Sequence, residues 1–153
     1  SPNNATEFAT FVNPSNRTSS GSHNSSLLLN WNSQSLLTYA GIAIPNNGDQ
    51  FALQVTGYFV PLETGTYTFT CEGDEAVDLF VNSINVANHY GNHTIASPGS
   101  HTGTIDLIAG ERYAFRARMQ ENSGGEGLKV FWRRPSQTNG WYLNTNELSS
   151  TNQ

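Results

Sequence analysis

The sequence predicts an all-β protein, an antiparallel β-sandwich of jelly-roll-like type. Three observations carry this. Apolar and polar residues alternate at period two, turn residues recur at roughly ten-residue spacing, and no stretch shows a 3.6-residue apolar stripe. Many short half-buried strands must close their apolar faces on one another, which gives a sandwich or barrel.

The elements follow in order. Residues 1–26 are polar and rich in Asn and Ser, and are expected to form an arm, or loops around a first strand at "FATFV". Clear patterning begins in "FALQVTGYFV", where Phe51, Leu53, Val55 and Phe59 alternate with Ala52, Gln54 and Thr56. "PLETG" then reads as a turn, with Pro61 fixing φ and Gly65 free to take a positive one. "TYTFTC" places Tyr67, Phe69 and Cys71 on one face and threonines on the other, completing a β-hairpin. "VDLFV" is the next strand, and "NSIN" turns it into a short continuation. "GTIDLIAGERYAFRARM" gives two strands about Gly110, with Ile105, Leu107, Tyr113, Phe115, Ala117 and Met119 facing inward. "LKVFW" closes the pattern with Leu128, Val130 and Trp132 inward and Lys129 and Arg133 outward.

Composition narrows the class. A chain of 153 residues is one domain with a real core, and no repeat or linker divides it. Hydrophobic residues are only 36% and aromatics 11%, so the core relies on a few large side chains. Net charge is -5, and the basic residues cluster nowhere beyond Arg133–Arg134, which argues against nucleic acid. No apolar stretch approaches the length of a membrane span, so no membrane insertion is expected. "SPNNATEFATF" lacks the basic and apolar regions of a signal peptide, as a mature or excised segment would. Cys71 is the only cysteine, so no intrachain disulfide can form. A Lys-poor, acidic, Asn/Ser/Thr-rich composition suits an extracellular or surface-displayed protein. The sequons at Asn4, Asn16, Asn24 and Asn92 carry little weight in so Asn-rich a chain.

One stretch breaks the low-charge pattern. In "CEGDEAVDLF" (71–80), Glu72, Asp74, Glu75 and Asp78 are acidic, although charged residues make up 12% of the chain. Asp74 and Glu75 are adjacent and repel one another. Two readings are open: a solvated turn, or a cation held by both carboxylates. Successive strand side chains diverge, so both can reach one ion only if the backbone between them is bent or cis.

Other chemistry is thin. His23, His89, His93 and His101 lack zinc-ligand spacing, and Cys71 faces inward as inert packing. No nucleophile motif is present, and adjacent carboxylates are poorly placed to flank a glycosidic bond. Arg116 and Arg118 are expected outward, solvated or paired on the surface. No enzymatic activity is expected.

Four segments, "VTGYFVPLETGTYTFT", "GDEAVDLFVN", "GTIDLIAGERYAFRARM" and "GGEGLKVFWRRPSQ", occur in the order of a known family. Over residues 51–135 the chain resembles the protective-antigen (PA-14) domain and is similar to the GLEYA-type lectin domains of yeast flocculins and epithelial adhesins. The resemblance implies a single PA-14-like sandwich over 1–153, and a Ca²⁺ ion held by an acidic pair joined through a cis peptide. A second loop adds an Asn side chain and backbone carbonyls, and vicinal sugar hydroxyls complete the shell. Carried onto this chain, the metal set is Asp74, Glu75, Asn122, Gly124 and Glu126, with Gly124 and Glu126 giving carbonyls. The sugar set is Asp74 and Glu75 with His89 and Tyr90 from "ANHYGNH" and Asn122 and Ser123 from "ENSGGEG", while Trp141 reads as core or edge packing. The implied function is calcium-dependent carbohydrate binding by a cell-surface adhesin. Its partners would be glycans, bound by a monomeric module of a larger chain. The alternative is a non-lectin structural or accessory module. Glu75 in place of Asp, and a shorter second loop, depart from the family pattern.

Overall fold

The computed structural model describes residues 1–13, 15, 17, 26–32 and 48–150. His23 and the sequons at Asn16 and Asn24 lie outside these residues. Two antiparallel sheets face one another, as the alternating pattern requires. Strands β1 (Asn30–Trp31), β3 (Gly65–Asp74), β6 (Thr102–Leu107) and β8 (Gly127–Arg133) form the first, in the order β1-β8-β3-β6. The second contains β2 (Phe51–Phe59), β4 (Ala76–Val81), β5 (Ile84–His89), β7 (Tyr113–Glu121) and β9 (Leu148–Ser149), in the order β5-β4-β7-β2-β9.

Large aromatic rings fill the space between the sheets. Phe59 sits at the centre, with Trp132, Phe69 and Tyr67 edge-on at centroid distances of 5.2, 5.3 and 5.4 Å. Edge-to-face packing suits the ring quadrupoles. Cys71, Ala117, Met119, Leu128 and Val130 are also buried, as the alternation predicts. At one end of this core the buried carboxylate of Glu147 accepts from Tyr67 Oη, Leu62 N, Trp132 Nε1 and Arg134 Nε at 2.5–3.0 Å.

"NSIN" forms a tight hairpin between β4 and β5, with Asn82 and Ser83 at φ 53° and 62°. Positive φ at both central residues matches the twist of the flanking strands. Two of the sequence expectations are corrected. "FATFV" is not a strand: Ala5–Phe11 forms a short helix, α1. The Asn4 side chain accepts from Glu7 N at 2.9 Å, and Glu7 Oε2 accepts from Asn3 N at 2.8 Å. This reciprocal cap satisfies donors that a helix start leaves open. Nor is Arg118 at the surface. It is buried, with Nε and Nη2 donating to Asp78 at 2.8 and 2.6 Å, and its guanidinium lies 4.7 Å from the Phe8 ring centroid. Helix α1 covers what would otherwise be an outward strand face. Asn4→Ala should therefore cost about 1 kcal/mol. The loss should show as faster hydrogen exchange in residues 5–11, ahead of the sheets.

Candidate functional site

The chain crosses between the sheets at two adjacent places. Strand β3 ends at Asp74 in the first sheet, and after Glu75 alone β4 begins in the second. The return crossing runs from Glu121, at the end of β7, through 122–126 to β8. Pairing locks the two corners together: Asp74 is opposite Gly127, and Glu75 N donates to Gln120 O at 2.8 Å. The Asp74–Glu75 peptide is cis.

Acidic groups neighbour one another here, although no three of their carboxylates bring ligand oxygens within 4.8 Å of one another. Asp74 Oδ2 lies 3.2 Å from where a Cβ on Gly125 would stand, so a side chain there would make the carboxylate shift by a few tenths of an ångström. Burial pushes the Asp74 pKa up, and the charges of Glu75 and Glu126 push it further, against the opposing effects of His93 and the Ile95 N–H. Glu75 is buried rather than hydrated, with Ser1 Oγ 3.4 Å from its Oε2. A turn with both acids in water is therefore not what the chain forms.

Glu121, which the sequence reading passed over, is the centre of the cluster. It is fully buried, and neither carboxylate oxygen has a hydrogen-bond partner. Its pKa is pushed up to about 8, first by burial and then by Asp74, Glu75, Glu126 and Asp49. The other deeply buried acids are well supplied with donors. Glu147 has those named above, and Glu72 accepts from Thr70 Oγ1 and His101 N at 2.8 and 2.9 Å. Asp78 accepts from Arg118 and from Tyr90 Oη at 2.9 Å. A buried carboxylate without donors is costly unless a cation or proton compensates it. The carboxylates of Asp74, Glu75 and Glu121 are oxygen donors, the kind a hard cation such as Ca²⁺ takes, and would have to draw closer together to share one ion.

The remaining residues fall around this centre. Asn122 follows Glu121, and its carbonyl accepts from Gln50 N at 3.1 Å. It also lines a groove of about 320 Å³ with Phe11, Gln50, Phe51, Ala52 and Gln120. Ser123 is exposed, and Gly124 takes φ 94° with its N–H 3.3 Å from Asp49 Oδ1. Glu126 contributes its charge to Asp74 and Glu121. Tyr90 is directed elsewhere: its hydroxyl donates to Asp78, accepts from Asn85 Nδ2 at 2.9 Å, and titrates up at about 12, chiefly through burial. His89 lies within a stack of histidines, its ring 3.3 Å from that of His93 and 3.7 Å from that of His101. Trp141 lies under the Arg133 guanidinium at 4.2 Å. The exposed aromatic ring beside Asn122 is Phe11, which a strand reading of its segment could not place there.

The two facing sheets define a β-sandwich domain with an acidic double crossing at one end. The chain belongs to the PA14 domain family, whose pattern matches residues 38–140. No curated protein matches the chain. Among solved structures it is similar to the PA14 sugar-binding domain of an RTX adhesin, at 20% identity and TM-score 0.61, covering 76% of this chain and 64% of that one. It is also similar to the epithelial adhesin 9 A domain of Candida glabrata in complex with Galb1-3GlcNAc. That match has 14% identity and TM-score 0.61, covering 80% of this chain and 66% of that one. An anti-sigma factor domain-containing protein of Clostridium clariflavum matches at 25% identity and TM-score 0.56. The match covers 66% of this chain and only 33% of that protein.

Proposed function

We propose that this domain binds carbohydrate through a Ca²⁺ ion held at the double crossing. The observation that carries the reading is Glu121: a buried carboxylate without donors, surrounded by further acids, is an arrangement that a divalent cation completes. Asp74, Glu75 and Glu121 would hold the ion by carboxylate oxygens. Asn122 and the carbonyls of Gly124 and Glu126 would add neutral ones. The bound ion would supply coordination positions that vicinal sugar hydroxyls can take from water. The protein's own part is recognition: Ser123 offers a hydroxyl at the loop tip, and Phe11 offers an aromatic face for the apolar side of a sugar ring. An adhesin's PA14 domain and a glycan-bound adhesin domain among similar folds support the sugar as ligand. They also favour a cell-surface setting and a module of a longer chain, without catalysis.

A single small ligand displaces few waters and buries little area, so monosaccharide affinity should be weak. Attachment would then depend on many copies acting together. A glycan array with calcium should show binding that EDTA removes, and calorimetry should show Ca²⁺ uptake in the millimolar range or tighter. Glycan binding that persists in EDTA would move the ligand to the Phe11 groove alone. Calcium uptake with no glycan bound would favour an accessory module. That second reading draws on the likeness to a Xanthomonas citri GH31 alpha-xylosidase, of which the matching part is 12%.

A further inference from the structure

Glu72, His89 and His101 bring one ligand atom each to within 4.8 Å of one another, and they come from three separate segments. Glu72 belongs to β3 of the first sheet, His89 ends β5 of the second, and His101 immediately precedes β6. The carboxylate is fully buried and aimed. Its Oε2 accepts from Thr70 Oγ1 and His101 N, which leaves Oε1 facing His101 Nδ1 at 2.6 Å. His89 Nδ1 is buried without any hydrogen-bond partner. His93 stacks on His89, but its nitrogens lie 2.9 and 3.0 Å from the carbonyls of His89 and Thr94, which takes it out of the ligand set.

We propose that Glu72, His89 and His101 form a second metal site, for a borderline divalent ion of the Zn²⁺ class, with solvent in the fourth position. Two imidazoles and a carboxylate suit zinc, whereas the all-oxygen corner beside them suits calcium. Two ligands of tetrahedral zinc stand roughly 3.3 Å apart. Uptake therefore displaces the proton between Glu72 and His101 to solvent and widens that pair slightly, while His89 closes in. The His89 and His101 rings lie 17° from parallel, so His101, which is part-exposed, must turn for the lone pairs to converge. The donors on Glu72 Oε2 act as the outer shell that holds a ligating carboxylate in place. A bound ion would tie the two sheets together at the end that carries the acidic corner.

The test is zinc titration of the whole chain in saturating calcium, by calorimetry and thermal melting. Wild type should take up one zinc ion and melt at a higher temperature. His101→Gln and His89→Phe should each weaken zinc at least tenfold, and Asp74→Asn should leave it unchanged. Cobalt in place of zinc should give the intense visible bands of a four-coordinate ion. If the histidine variants do not fold, ring ¹⁵N shifts in wild type decide, with His89 and His101 moving strongly on zinc addition. No zinc uptake, uptake abolished by Asp74→Asn, or unmoved histidine nitrogens would each overturn the site. Zinc uptake lost with His89 and His101 but kept with Asp74→Asn separates this site from the acidic corner.

Discussion

Asp74→Asn should raise the calcium dissociation constant at least about 100-fold while leaving the fold of the calcium-free protein intact. At roughly 1.4 kcal/mol per decade, this asks one anionic ligand to supply on the order of 2.7 kcal/mol. That is a reasonable share for a carboxylate in a low-dielectric corner. Asn keeps the shape, so the room left by Gly125 is not disturbed. It removes one of the charges that add to burial in pushing up the Glu121 pKa. The calcium-free variant should therefore melt no lower than wild type, and calcium should no longer raise its melting temperature. Calorimetry with a parallel melting series checks both. An unchanged calcium constant would show that Asp74 is not a ligand and would dissolve the site as drawn.

Much of the sandwich was legible because apolar residues recur at every second position of its core strands, although Thr70 and Glu72 of β3 are buried as well. Tyr67, Phe69 and Cys71, and then Leu128, Val130 and Trp132, each place every second residue inside. The helix was missed although its signal is in the sequence. Asn4 with Glu7 three positions on, followed by Phe8, is a capping pattern. Seven residues are too few to show a 3.6-residue stripe, so periodicity alone could not find it. Arg118 was misplaced for a related reason. Alternation puts it on the outer face of β7, and only the cover from Phe8 and the partner Asp78 make that face an interior.

The site divides in the same way. An acidic pair is visible along the chain, and the peptide that joins it is cis, as the resemblance implies. Glu121 was invisible because nothing local distinguishes it. It ends an ordinary strand, and its meaning comes from lying beside a corner formed some 46 positions earlier in the chain. The described histidines are also scattered, at 89, 93 and 101, with no metal spacing between them. Only the pairing of β3 with β6 and of β4 with β5 brings His101 and His89 to Glu72. Ligands gathered from different sheets leave no local motif to read.

Glu121→Gln should act in opposite directions on calcium binding and on calcium-free stability. Gln fills the same volume without an anionic oxygen, so the calcium dissociation constant should rise at least about tenfold. The effect on stability follows from linkage. The Glu121 pKa lies near 8 in the folded protein against an ordinary 4.5, so between those values the folded chain holds a proton that the unfolded chain has lost. Wild-type stability without calcium must then fall as pH rises from about 5 to about 8, and this contribution levels off above. The neutral amide has no such slope. In EDTA the variant should melt above wild type at about pH 8, and the difference should shrink towards about pH 5. Calcium should reverse the order at pH 8, because the ion compensates the carboxylate and does less for the amide. Melting curves of both proteins at three pH values, with calcium and with EDTA, separate these terms. A Gln variant that binds calcium as tightly as wild type would mean that the buried carboxylate serves the apo fold alone, compensated by its own proton.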